Sequence, residues 1–181
     1  HLDVAMQTCA ELRRRGGPET FSYNVPAWIA WEALERRKGT QLTALEEGIA
    51  RGDINWHALP FTTHTGIMPD WLIEEGIALA RQLDQRFSLP PTIAGKMTDV
   101  PGHPIRMVRP LARQGVSFLH IGVNHMSALP EVPPLFRWQI EEGCELIVAY
   151  CRGYGAPVRW GNQPDILEFH MLGDNMEVRS P

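Results

Sequence analysis

Four short stretches of the chain carry side chains able to ligate a metal or move a proton. His1-Leu-Asp3 sets an imidazole and a carboxylate two residues apart. On an extended segment that spacing puts both on one face, which suits a shared cation. His57-Ala-Leu-Pro-Phe-Thr-Thr-His64-Thr65 supplies two more imidazoles. Asp99-Val-Pro-Gly-His103 offers a carboxylate and an imidazole around a turn, and Gly173-Asp174-Asn175 offers another carboxylate beside an amide. Each stretch is ordinary when taken alone. A His-x-Asp pair recurs by chance, Asp before Val-Pro-Gly serves as a turn or cap residue, and Gly-Asp is a common turn signal. His57 and His64 read first as core or rim histidines, and His120 and His170, inside strand-like runs, as packed ones. What lifts the set is position. Each stretch is expected to follow a strand, so His57, His64, His103 and Asn175 become candidate substrate contacts at one rim. Mixed imidazole and carboxylate donors suit zinc there without excluding other divalent metals.

The elements that would position these residues alternate along the chain. Phe21 to Val25 reads as a short strand, and Trp28, Trp31 and Leu34, then Leu42, Leu45 and Ile49, repeat at helical spacing. Ile54 to Phe61 alternates like a strand. Asp70 is placed as the N-cap of a helix whose inward face carries Leu72, Gly76, Leu79, Leu83 and Phe87. Thr92 to Met97 is a buried strand, Pro104 opens a helix reaching about Arg113, and Ser117 to Val123 is a strand. Leu135 to Gln139 and Glu145 to Tyr150 flank Glu-Glu-Gly as a hairpin, and Ile166 to Leu172 is a last strand. Strand and helix in alternation argue for a parallel α/β fold, whose ligands bind beyond the carboxyl ends of the strands. A full eight-stranded barrel needs about 250 residues, so residues 1–181 are expected to form a partial catalytic domain of a longer protein. The expected architecture is an irregular or incomplete seven-stranded β/α barrel, with a strand before His1.

Composition narrows the partners. Seventeen basic residues against twenty-one acidic ones give a net charge of −4, with no basic stripe. Nucleic acid is therefore not an expected partner. Apolar runs fall short of the ~20 residues that cross a bilayer, so no membrane partner is expected either. Cys9, Cys144 and Cys151 cannot all pair with one another and fit no zinc-knuckle spacing, so they read as buried or half-buried thiols of a reducing compartment. The remaining expected partners are the C-terminal remainder of the same chain and a second copy in a homo-oligomer, to which the family resemblance of the motifs adds a carbohydrate substrate.

The order of the motifs resembles the N-terminal domain of glycoside hydrolase family 38, the zinc α-mannosidases, from His1 to about Asn175. His1 and Asp3 stand where that family carries His-x-Asp, and Phe21-Ser-Tyr23 with Trp28 and Trp31 stand for its next strand and helix. Gly52-Asp-Ile-Asn-Trp56, Asp99-Val-Pro-Gly-His103 and Leu135-Phe-Arg-Trp138 with Gly143 follow in the family's order. The resemblance implies a zinc ion held by His1, Asp3 and Asp99, with a further histidine beyond Pro181. It also implies Asp99 as nucleophile and a general acid near Asp174. Ala5 and Met6 replace the family's Gly-Trp, and Asn175 stands where its acid is expected, which leaves Asp174 as the substitute. On this reading the reaction is retaining glycoside hydrolysis. Two rivals share the residues. A carbohydrate deacetylase would use a metal-bound water, with His57 or His64 completing the site, and a non-catalytic sugar-binding domain would account for Asn175.

Overall fold

A computed structural model describes residues 1–154 apart from positions 101 and 125, together with the backbone of 157–159 and 166–168. The chain opens with helix α1 (Leu2–Arg15), followed by β1 (Tyr23–Pro26), α2 (Ala27–Arg36), α3 (Gly39–Ala50) and β2 (Ile54–His57). A single 3₁₀ turn over Thr65–Ile67 leads to α4 (Asp70–Arg86) and β3 (Ala94–Thr98). A second turn over Ile105–Met107 runs into α5 (Val108–Arg113), and β4 (Phe118–Val123), β5 (Leu135–Glu141) and β6 (Cys144–Arg152) follow. The short strands β7 (Pro157–Arg159) and β8 (Ile166–Glu168) pair antiparallel.

Parallel pairing dominates, as the strand–helix alternation predicts. β1 pairs with β2 from Tyr23↔Ile54 to Pro26↔His57. β3 pairs parallel with β4, and β4 with β6, giving the order β3-β4-β6-β5. The Ala58 N–H donates to the Ala94 carbonyl at 2.8 Å, so the chain just past β2 meets the start of β3 and links the two sheets. The expected hairpin forms around Glu142-Gly143, with β5 antiparallel to β6 and a register shift between Gln139 and Glu141. Sheet and helices thus make a mixed α/β fold. Among the described residues no barrel closes, and a seven-stranded barrel is not seen.

The strand period of two sorts side chains onto two faces. Val25, Trp56, Met97, Leu119, Ile121, Leu146 and Val148 are buried with the apolar residues of the helices. The alternate residues, including Asn55, His57, Lys96 and His120, therefore stand on the opposite face. α4 covers the first face with Ile73, Ile77, Ala80 and Leu83. Burial of each large aliphatic side chain there contributes about 1.5–3 kcal/mol. Of the expected inward face Leu83 is buried and Leu79 and Phe87 pack against the core, whereas Leu72 stays 40% exposed and Ile73, Ile77 and Ala80 are buried in addition. Gly76 belongs where the loop after β2 crosses the helix: a Cβ there would meet Pro60 Cγ at 2.9 Å. Asp70 is the first residue of α4 rather than its cap, and an ion pair with Arg106 at 2.7 Å holds it.

Beneath α4 lies a buried polar knot. Asp84, 3% exposed, accepts hydrogen bonds from Trp56 Nε1 at 2.8 Å, from the Thr92 N–H at 2.8 Å and from the Thr92 hydroxyl at 2.7 Å, with Arg81 at 3.2 Å. The knot ties the end of α4 and the approach to β3 against β2. Trp56 is core, whereas Trp28 is exposed. Cys9, Cys144 and Cys151 are buried thiols. No helix among the described residues is long and apolar enough to cross a membrane.

Candidate functional site at the carboxyl ends of the strands

β2, β3, β4 and β6 run parallel or stand next to a parallel neighbour, and their carboxyl ends deliver polar side chains. Asp99 directly follows β3, where the sequence places it, and is solvent-exposed. Its backbone is left-handed, with φ 76°, a region that Asp tolerates better than most residues because its short polar side chain bonds locally. The Asp99 N–H donates to the Gly122 carbonyl at 2.7 Å, and Asn124 Nδ2 donates to the Asp99 carbonyl at 3.3 Å. These bonds fix the backbone turn. The side chain is fixed separately: the Tyr154 hydroxyl donates to Asp99 Oδ1 at 2.6 Å.

Gly122 makes room for that arrangement. A Cβ on it would meet Tyr154 Cα at 3.0 Å, the Tyr154 carbonyl oxygen at 3.1 Å and the Gly153 carbonyl oxygen at 3.2 Å. The turn after β6 thus lies directly on β4, secured by a bridge between Val123 and Gly153.

The loop after β2 joins the same rim. His103 Nδ1 lies 2.8 Å from the Thr65 hydroxyl, which brings the His57–Thr65 stretch and the Asp99–His103 stretch together. Burial, then the charge of the exposed His64, pull the His103 imidazole down to about 4. His103 Nε2 has no hydrogen-bond partner. His103 lines a cleft of about 510 Å³ whose walls include Leu129, Phe136, Trp138 and Tyr150. The Leu-Phe-x-Trp run singled out in the sequence therefore forms one wall of the cleft.

A second group sits on the face away from the helices. His57 ends β2 and is 5% exposed, and burial, with the neighbouring Lys96 ammonium, lowers its pKa to about 4. His120, paired in register with Lys96, is lowered to about 4 by burial, then by Lys96 and His57. His57 Nδ1 has no partner. Lys96 remains accessible to solvent, and desolvation by the surrounding walls lowers its ammonium pKa.

The zinc expectation meets a different geometry. His1 and Asp3 do not lie on an extended segment after a strand: His1 caps α1 and Asp3 is in its first turn. The helix forms because Leu2, Ala5, Thr8 and Cys9 make a buried stripe and Gly16, at φ 70°, closes the end with bonds to Leu12 and Arg13. Arg37 grips the Asp3 carboxylate at 2.7 and 3.2 Å, whereas Asp99 is held by Tyr154. Among the described residues no three His, Cys, Asp or Glu side chains gather so as to hold a metal. The residues named for zinc do not fit it in this arrangement. Asp174 and Asn175 lie outside the described residues.

Sequence reasoning missed Tyr154 and Asn124, and it read His120 as packing alone. Tyr154 follows a glycine just past a strand, and Asn124 follows β4 directly, so both stood in the position that gave Asp99 its weight. Lys96 carried the plainest unused signal, a charge within a run read as a buried strand.

No protein family and no curated protein matches the chain. Among solved structures, the 4-alpha-glucanotransferase from Thermococcus litoralis is similar in fold, with a TM-score of 0.54 at 15% sequence identity over 81% of this chain. The matched span is 23% of that enzyme's own length, and the likeness places the chain's fold beside that of a glucanotransferase.

Proposed function

We propose that the chain forms part of the catalytic β/α domain of a carbohydrate-active enzyme that cleaves glycosidic bonds with retention, α-mannosidase-like in its chemistry. The observation that carries this reading is Asp99: an exposed carboxylate just past a parallel strand, its backbone pinned to β4 and one oxygen pinned by a phenol. Binding sites of parallel β/α folds lie at this end of the strands. The order of motifs shared with the family 38 mannosidases and the fold shared with a glucanotransferase support the same substrate class.

In this reaction Asp99 attacks the anomeric carbon as the bond to the leaving oxygen breaks, and a protonated carboxyl gives that oxygen its proton. The same carboxyl, now ionised, takes a proton from water as the water displaces Asp99 from the glycosyl-enzyme. Tyr154 bonds one Asp99 oxygen and so directs the other toward the sugar. Asp174 is the acid that the resemblance offers. These steps use the chain's own side chains alone, since among the described residues no three His, Cys, Asp or Glu side chains gather around one point. The cleft beside His103, walled by Phe136 and Trp138, gives sugar rings apolar faces to rest on.

The test is covalent trapping. A 2-deoxy-2-fluoro glycosyl fluoride panel, mannosyl first, should add one sugar mass to Asp99, located by peptide mass spectrometry. Asp99→Ala should abolish both labelling and turnover of aryl glycosides. Full turnover by Asp99→Ala would overturn the assignment.

A further inference from the structure

We propose that His57 and Lys96, with His120 beside them, form an anion-binding subsite on the sheet face away from the helices, which takes the carboxylate or phosphate group of an acidic carbohydrate. The inference rests on the carbohydrate reading above and names the class of sugar it would favour.

The strand registers bring these residues together. Trp56 and Ala58 are buried toward the helices, so His57 between them points to the other face. Met97 is likewise buried with the helices, as are Leu119 and Ile121, which turns Lys96 and His120 to that same face. Lys96 and His120 are register partners on adjacent strands, and the bond from the Ala58 N–H to the Ala94 carbonyl brings β2 alongside β3. Neighbouring strands are about 4.8 Å apart, so three nitrogen bases line a short arc of this face.

Among the described residues no carboxylate forms an ion pair with Lys96. Burial alone shifts the Lys96 ammonium, and no described carboxylate raises it. His57 is 5% exposed and its Nδ1 lacks a partner. A buried, unpaired donor or acceptor costs about 1–3 kcal/mol, and with a cation near enough to lower the His57 pKa an oxyanion is a suitable partner for it. Lys96 supplies the charge, and the imidazoles, on taking up protons, supply directional N–H donors. The carboxylates nearest in sequence are engaged elsewhere, Asp53 by Arg13 and Arg51, Asp84 by Trp56 and Thr92, and Asp99 by Tyr154.

The experiment follows the ring resonances of nitrogen-labelled histidines in the chain, with His57→Gln assigning the His57 signals. Inorganic phosphate, glucuronate and glucose are titrated separately. Phosphate or glucuronate should move the His57 signals and glucose should not; a response to phosphate alone identifies a sugar phosphate, and to glucuronate alone a uronic acid. Lys96→Met should raise the half-saturating concentration at least tenfold, and Lys96→Gln serves if the methionine variant melts early. Silence of His57 toward both anions, or an equal response in the Lys96 variants, would overturn the subsite. Asp99→Asn separates the two readings: it should abolish hydrolysis and leave anion binding intact. Anion binding without turnover in the native chain would sink only the glycosidase reading, and turnover without anion binding only the subsite.

Discussion

The Tyr154 hydroxyl reaches Asp99 Oδ1 at 2.6 Å and so ties the turn after β6 to the end of β3 across β4. A hydrogen bond to a charged group is worth about 1.5–3 kcal/mol, and the solvent exposure of Asp99 puts this one at the low end. Tyr154→Phe should therefore lower kcat for aryl glycosides by about tenfold, with KM little changed and a stability loss in urea of about 1.5 kcal/mol or less. A matching slowdown in fluorosugar labelling of Asp99 would place the loss in the first chemical step. An unchanged kcat would remove Tyr154 from the site.

Asp84 plays the opposite part, holding structure rather than chemistry. Its buried oxygens serve Trp56, Thr92 and Arg81 together. Asp84→Ala would leave an indole N–H, a backbone N–H and a guanidinium short of an acceptor, at a cost of about 3 kcal/mol or more. Urea denaturation should show that loss as a lower midpoint. Trp56 fluorescence should shift with it, because the indole loses its acceptor. A change under 1 kcal/mol would mean that water replaces the carboxylate.

The elements closest to one clear period were the most legible in the sequence. Strand β4, helix α3 and the hairpin of β5 and β6 stand near their expected places because alternation, helical spacing and Glu-Glu-Gly each signalled one structure. α4 was found with Leu83, Leu79 and Phe87 on the inward face as expected. Ile73, Ile77 and Ala80 bury more deeply than Leu72, because both sets share the same spacing and only tertiary packing decides between them. α1 was hidden by weight given to His1-x-Asp3, although Leu2, Ala5 and Cys9 were already at helical spacing and Gly16 marked the stop. Asp99 was legible because it combines a carboxylate, a strand end and a Val-Pro-Gly turn. Tyr154 and Lys96 were not, because what matters about them is which strands lie side by side, and β6 takes its place beside β4 only in the folded sheet.

Acid should weaken the fold well above the range in which carboxylates protonate. Burial holds the imidazoles of His57 and His120 at about 4, whereas in the unfolded chain they titrate near 6.5. Between those values the unfolded state binds more protons, so the stabilisation present above pH 6.5 is lost as the pH falls toward 4. Each neutral buried imidazole costs about 1.4 kcal/mol for every pH unit across that window. Urea midpoints measured in buffers without phosphate or carboxylate should drop steeply from pH 7 to pH 5. His57→Phe should flatten the slope by about that amount. A flat profile for the native chain would mean that these rings take up protons in the fold as readily as in the unfolded chain.

Gly122 allows the backbone and chemical arguments to be tested in one substitution. Its missing Cβ is where the Tyr154 backbone lies, with Cα at 3.0 Å and the carbonyl oxygen at 3.1 Å, so the obstacle is main chain and cannot swing away like a long side chain. In Gly122→Ala the turn after β6 must lift from β4 by a few tenths of an ångström, and the Tyr154 hydroxyl moves with it. The ladder bond from the Asp99 N–H to the Gly122 carbonyl lies on the backbone and should survive. The expected result is a loss of kcat at least as large as that of Tyr154→Phe, with a stability cost of about 1–3 kcal/mol typical of overpacking. Combining the two should add little further loss of kcat, because both act through one hydrogen bond. Full additivity in the double variant would show that Gly122 reaches the reaction by another route.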